Sequence, residues 1–423
     1  MPQPMRWSSL LEGAERETAL RLAAGIAEEL SRPERLAAPN PTLSSGQAGM
    51  ALLFSYLARE SAQARHLECV EQLLDSASEA VATQPLPPDL YQGFSGIAWA
   101  VEHLRGTAVA EEDPLTEIDE ALAGLLRTQP WEYHYDLVSG LVGLGVYALE
   151  RLPRPGARDC LEQIVARLAE LAQPSEGGLR WWTPPPLLPA SMRGQFPEGA
   201  CNLGVAHGVP GVLWVLAGAA ATGTAASQAL ELLRGGWSGL MAQRQPAASA
   251  SRFPSWLGAN HQTWPNRPAW CYGDPGMALT LLQVARAVKE PGWEQEALAL
   301  CREVAERSTD GAQVQDAGLC HGAAGLAHLH HRLFRATGEE RFARAARAWF
   351  RNTLSFHRPG EGLGGFLSHE VLPDLSREWL ASPALLTGAT GVALALLAAA
   401  SPVEPAWDRM FLMSLPPSPS STP

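Results

Sequence analysis

The chain has 423 residues, 46% of them hydrophobic, and 32 basic against 44 acidic side chains give a formal net charge of −12. That apolar fraction allows a sizeable core, and the acidic balance excludes the basic footprint of a nucleic-acid-binding surface. Six scattered cysteines, and an N-terminus without a cationic-then-apolar signal layout, exclude a disulfide-dense secreted scaffold.

Amphipathic helices are predicted over 12–30, 64–82, 115–128, 157–172, 225–243, 292–307 and 338–355. The last is representative, with Phe342, Ala345, Ala346, Trp349 and Phe350 at helical spacing. Cys69, Cys160 and Cys301 fall inside such helices and read as core residues. Each helix is followed by a Gly-x-x-Gly pair that opens a more apolar helix. The pairs stand at Gly46/Gly49, Gly93/Gly96, Gly140/Gly143, Gly208/Gly211, Gly273/Gly276, Gly322/Gly325 and Gly388/Gly391. Repetition at this spacing announces a stacked architecture.

The segments after Gly211 and Gly391 are apolar on nearly every side, so they are buried on every side. The run Leu385 to Ala400 is too short to cross a bilayer comfortably. Each repeat therefore reads as an amphipathic outer helix and a buried inner one. Seven such hairpins close into an all-α (α/α)7 toroid, expected as one domain over 1–423. Small residues at the inner-helix starts are expected to let backbones approach near the axis. Only the neighbourhood of Leu179–Trp182 suggests a strand. Segments 173–206, 244–270 and 356–386 read as irregular rim loops, the first as a rim insertion. The tail at about 415–423, ending in PPSPSSTP, reads as disordered.

In equal hairpins, equal offsets from the first glycine lie at equal height on one rim. Cys271 and Cys320 each stand two residues before such a glycine, His207 and His321 one before, and Asp136 four before. The repeats thus bring Asp136, His207, Cys271, Cys320 and His321 to one opening. Taken singly, each has a bland reading: the Cys320–His321 pair as core, His207 as bonded to a cap, Asp136 as an N-cap. Together they form a soft-metal set. Cys271, Cys320 and His321 as three ligands leave a fourth tetrahedral position open, the arrangement of a catalytic zinc site. Asp274 and Pro275 suit a helix start by capping and pre-set φ. His328, His330, His331, His357 and His369 read as solvated or structural, with His328, His330 and His331 as a lesser rival metal cluster.

At these residues the sequence resembles the lanthipeptide cyclases, the LanC-like family. The matching pieces are Tyr135–Gly140, Gly204–Gly211, Arg267–Gly276, Cys320-His-Gly322 and Leu386–Gly391, in family order over most of the chain. The resemblance implies an α-toroid with one catalytic zinc on Cys271, Cys320 and His321. It implies that His207 and Asp136 form the acid/base pair and that Arg267 and Tyr272 are further active-site residues. The implied reaction adds peptide cysteine thiols to dehydroalanine or dehydrobutyrine, giving lanthionine or methyllanthionine thioethers. A free-standing class I type is expected, acting on a dehydrated precursor peptide beside a separate dehydratase and an export or modification complex. The expected location is cytoplasmic, at the periphery of a membrane-associated complex. The sequence departs from members carrying a sizeable β-rich insertion, because its best candidate, about 174–200, is short and holds Pro184-Pro-Pro186.

The chemistry would be a Michael addition, in which His207 transfers a proton and Asp136 fixes its tautomer. Arg267 either holds Asp136 or stabilises the enolate. The rival readings are addition of glutathione or another thiol, and a non-catalytic zinc-containing peptide-binding scaffold. A toroidal glycosidase lacks a convincing carboxylate pair at the rim.

Overall fold

The computed structural model describes residues 6–105, 113–259, 263–264, 266–309, 311–372 and 376–415. The tail read as disordered falls on 416–423, outside the described residues. Helices are numbered here in chain order, with odd numbers outside the ring and even numbers inside. The outer helices are α1 (Gly13–Leu30), α3 (Ala64–Thr83), α5 (Thr116–Leu126), α7 (Pro155–Leu171), α9 (Ala226–Met241), α11 (Pro291–Ala305) and α13 (Glu340–Ser355). The inner helices are α2 (Gln47–Ser61), α4 (Phe94–Arg105), α6 (Leu141–Arg151), α8 (Val209–Ala221), α10 (Asp274–Ala287), α12 (Ala323–Thr337) and α14 (Ala389–Ala400).

Side-chain pattern decides which layer a helix joins. In α13 the buried residues are Phe342, Ala343, Ala346, Trp349, Phe350 and Thr353, a single stripe at helical period. In α14 every residue is buried. Phe342 and Phe350 are fully enclosed, each contributing about 1.5–3 kcal/mol of apolar burial, so a charge at either position would break that contact face.

Each inner helix packs on the inner helices before and after it, and α14 packs on α2, which completes the ring of seven. Five of the seven inner helices pair most extensively with the outer helix that follows, as in α2 with α3 and α12 with α13, whereas α4 packs on the preceding outer helix α3. The sequence reading had joined each inner helix to the outer helix before it. The physical reason is connection length: inner-to-outer turns are short, whereas outer-to-inner connections carry the long rim loops. The outer helix left over at the start, α1, packs on the inner helix left over at the end, α14. Leu10 and Leu11 donate backbone hydrogen bonds to the Ala399 carbonyl, and the Trp7 indole donates to Ala398.

The glycine pairs have a different cause from the one expected. Among the described residues, six of the seven inner helices start without a side-chain cap; the rim loop folds back and its own carbonyls take that role. Gln47 N–H donates to Asn40 O at 2.8 Å, Ala323 to Asp316 O at 3.0 Å and Ala389 to Ser382 O at 2.9 Å, which satisfies first-turn donors that would otherwise be orphaned. The loop therefore presses on the helix start. A Cβ at Gly96 would lie 1.6 Å from the Leu90 carbonyl oxygen. Gly273 adds a positive φ of 114° to a 2.4 Å approach to the Arg267 carbonyl.

The same loops are stitched to one another. Two residues before five of the seven first glycines, a backbone N–H reaches the equivalent carbonyl of the next repeat. Ser44 donates to Tyr91 at 2.9 Å, Ala206 to Cys271 at 3.3 Å, Cys271 to Cys320 at 3.2 Å, Cys320 to Leu386 at 2.8 Å, and Leu386 back to Ser44 at 3.2 Å. Leu137, one residue out of register, donates to Ala206 at 3.1 Å. Equal offset is thus equal height.

The long rim segments are not irregular throughout. Residues β1 (Ala172–Ser175), β2 (Gly178–Thr183), β3 (Ala200–Asn202), β4 (Trp256–Gly258) and β5 (Thr263–Trp264) form an antiparallel sheet in that order. Trp182 pairs with Cys201, and Asn202 with Trp256. Strand β2 lies on α9, where Gly235, Gly236 and Gly239 remove the side chains that would strike Leu179 and Trp181. A hairpin of β6 (Ser368–Val371) and β7 (Arg377–Leu380) occupies the third segment. Among the described residues no helix is long and apolar enough to cross a membrane.

Candidate metal centre and its histidine–aspartate pair

The belt of backbone hydrogen bonds sets the site. It joins Cys271 directly to Cys320, so two loops from adjacent repeats present their sulfurs side by side. With His321 they offer three donor atoms, all within 4.8 Å of one another. The Cys271 thiol is held well below its ordinary value, first by the hydrogen bond from Cys320, against burial, and then by His321. The same bond and burial push Cys320 up. The pair gives up its first proton readily and its second only to a cation, which suits a soft divalent metal. Burial is the leading cause at the ordinary thiols: Cys160, Cys201 and Cys301 are pushed up to about 12. Cys69, Cys160 and Cys301 are buried, as expected, and all six cysteines are free.

His207 Nδ1 and Asp136 Oδ2 lie 2.6 Å apart. The other carboxylate oxygen accepts the Ser139 N–H at 2.7 Å, which fixes the group on its own loop. Burial works against a charged imidazole here, but the hydrogen bond and charge of Asp136 outweigh it and Cys271 adds to them, so His207 is raised above its ordinary value. Asp136 is lowered, its burial outweighed by His207. The His207 side chain keeps 38% of its surface exposed, while Asp136 keeps 8%.

Tyr272 stands between these groups. Its ring centroid lies 6.1 Å from that of His207 and 6.2 Å from that of Trp256. Its hydroxyl accepts from Asn202 Nδ2 at 2.9 Å, and burial first of all pushes its pKa up, making it a weaker acid. The charge of Arg267 acts on Cys320 and His321, and among the described residues it makes no ion pair with Asp136.

Two of these contacts escaped the sequence. Asn202 is fully buried at the end of β3, where it also accepts the Gly204 N–H at 2.8 Å. It stands six residues before Gly208, the offset of Arg267 before Gly273, so the repeat register could have found it. Trp256 carried no such signal. Asp274 does not cap α10; it is the first residue of that helix. Its carboxylate accepts from Arg252 N–H at 2.8 Å and Phe253 N–H at 3.2 Å and pairs with Arg307 at 2.7 Å, which ties down the 251–253 turn.

The rival histidine cluster does not assemble a ligand set among the described residues. His328, His330 and His331 are buried rather than solvated. They share an inner helix, and His328 is bonded to Asp408 at 2.7 Å. His357 and His369 are half-buried.

Comparison with known proteins gives this geometry a context. A model of the lanthionine synthetase C-like proteins matches residues 38–412. The nisin biosynthesis protein NisC of Lactococcus lactis subsp. lactis is 23% identical over 316 residues, spanning 68% of this chain and 72% of its own. The solved structure of nisin cyclase has a TM-score of 0.72 at 20% identity, covering 94% of this chain and 97% of that one, a likeness of fold.

Proposed function

The chain belongs to the lanthionine synthetase C-like family, and from that premise we propose that it is a zinc-dependent lanthipeptide cyclase. It adds cysteine thiols of a dehydrated precursor peptide to dehydroalanine or dehydrobutyrine and so forms lanthionine or methyllanthionine rings. One observation carries the reading: a three-donor sulfur and nitrogen set lies beside a half-open histidine–aspartate pair, close enough that Cys271 and His207 shift one another's ionisation.

Cys271, Cys320 and His321 would hold the ion. Zinc, when bound, supplies a soft Lewis acid that lowers the pKa of a substrate thiol. The chain's own groups handle the remaining protons and charges. As the thiolate sulfur bonds to the β-carbon, the alkene electron pair moves onto the α-carbon and its carbonyl. His207, with Nδ1 committed to Asp136, has Nε2 left for substrate, and its raised ionisation keeps a proton available near neutral pH for the α-carbon. Asp136 holds the tautomer. Arg267 acts on the metal side of the site, which favours enolate stabilisation over its alternative role of holding Asp136. Tyr272, steadied by Asn202 and Trp256, walls the space beside His207.

Residues 1–423 are read as one catalytic unit. A separate dehydratase would supply the dehydro residues, within an export or modification complex. Six free cysteines suit the reducing cytoplasm.

Elemental analysis after dialysis tests the ligand set: Cys271→Ala, Cys320→Ala and His321→Ala proteins are each expected to lose the metal and ring formation while staying largely helical. A full zinc equivalent in Cys320→Ala would refute the set.

A further inference from the structure

Between the second and third repeats, next to the histidine–aspartate pair, lies an apolar cleft of about 610 Å³. Pro88, Phe94, Leu125, Trp131 and Leu144 line it, and Tyr133 stands exposed at its edge. Ser139 is also part of the wall. Its N–H is the donor to Asp136, so the cleft and the pair share a loop.

Two ionisable side chains, Asp89 and His134, sit in this otherwise apolar lining. Asp89 stands four residues before Gly93, the same offset as Asp136 before Gly140, so it is the second-repeat counterpart of the candidate catalytic aspartate. Asp136 has His207. Asp89, half-buried, makes no ion pair among the described residues. Burial first, and then the charge of Asp136, push its carboxyl up, and His134 offsets only part of this. A carboxylate in a largely apolar wall, only partly offset by His134, is stabilised when a ligand brings a cation. The side chains that combine an apolar stem with a cationic head are lysine and arginine, and the neighbouring Trp131 and Tyr133 rings suit such a head as well.

We propose that this cleft is a side-chain pocket for a lysine or arginine of the peptide substrate, its stem along the apolar wall and its head on Asp89. The proposal rests on the cyclase reading for the identity of the ligand. It makes Asp89 a specificity residue, selecting which cysteine or dehydro residue is brought to His207 by the cationic residue that flanks it.

The test uses two sets of dehydrated peptides that carry either lysine or norleucine at each position flanking the reacting cysteine. Matching peptides with serine in place of that cysteine serve as non-reacting probes of binding by fluorescence anisotropy. One charge-assisted contact predicts a preference of roughly tenfold for lysine in one register, both in kcat/KM and in the binding of the serine peptides. In Asp89→Asn the ratio is expected to fall to about one. Equal handling of lysine and norleucine in every register by the unaltered protein would overturn the pocket, as would an undiminished ratio in Asp89→Asn. Failure to cyclise any peptide would instead sink the cyclase reading, and the serine-peptide binding ratio would still decide the pocket.

Discussion

The ring contains two histidine–aspartate pairs of nearly equal length, His207–Asp136 at 2.6 Å and His328–Asp408 at 2.7 Å. Their chemistry is opposite. Asp408 is already neutralised by Arg332, which donates to its two oxygens at 2.6 and 2.9 Å. Burial therefore dominates at His328, and its ionisation is lowered despite the aspartate. Its Nδ1 has no partner in the structure, and neither side chain of the pair touches solvent. Among the described residues Asp136 pairs with no arginine, so its charge is free to raise His207, which stays partly open. A histidine on an aspartate becomes a proton-transfer group when the aspartate's charge is unspent and the ring can be reached. Otherwise it is a strut.

The sharpest way to break this contrast is to remove each histidine. His207→Ala is expected to keep zinc and fold but lose roughly 10²–10⁴ in cyclisation rate, measured by alkylating free thiols and counting them by mass spectrometry against a no-enzyme control. His328→Ala should instead lower stability and leave the folded fraction active; equal activity losses in the two proteins would erase the distinction. Next, Arg332→Met strips Asp408 of its main counter-charge. Breaking a buried pair of this kind costs about 3–5 kcal/mol, readable by urea denaturation, and His328 should then titrate upward as the strut comes to resemble the candidate catalytic pair.

Asp136→Asn is the milder counterpart, leaving His207 in place but poorly held. A loss of about 10–100-fold is expected in turnover, with zinc retained. The smallest effect is the pH response. His207 is raised above 6.5 when folded, so its contribution to stability is fully present below 6.5 and disappears as pH climbs through the higher folded value. His328 is lowered from 6.5, so the unfolded chain takes up a proton that the folded chain refuses, and stability falls as pH drops below 6.5. NMR titration of labelled histidines should place the two on opposite sides of that value. With His207 more than a third exposed, the stability term amounts to less than about 1 kcal/mol after screening.

The ring and most of the candidate site were legible because both depend on a repeated backbone constraint. The glycines mark where the loop carbonyls must touch the helix starts, and that fold-back fixes the height of every residue near them. Cys271, Cys320, His321, His207 and Asp136 could therefore be placed by counting. What could not be counted was missed. The strands of the rim sheet run two to six residues and join segments whose paired residues lie 54 to 58 apart, too short and too distant for a period. His328 could be read only as solvated or structural in a run of histidine and arginine, because the aspartate that fixes it lies 80 residues away. Asp274 had the residue type of a cap, but the loop carbonyls had already taken the work of capping.

The contact between α1 and α14 separates this ring from open stacks of the same hairpins. An open stack can grow from any nucleus and tolerate a frayed end, since each unit leans only on its neighbours. Here the first outer helix lacks its main inner partner until the last inner helix is made, and the Trp7 to Ala398 hydrogen bond spans 391 residues. The entropic toll of so long a closure is modest, rising by only about 0.6 kcal/mol for each doubling of the loop. Its consequence is one of order. The arc that holds Asp136, His207, Cys271 and Cys320 leaves the ribosome before the closing helix does, so the chemistry-bearing hairpins can dock on one another while the circle is still open. A lesion at the α1–α14 seam should therefore delay the final locking step and leave that arc's own assembly intact.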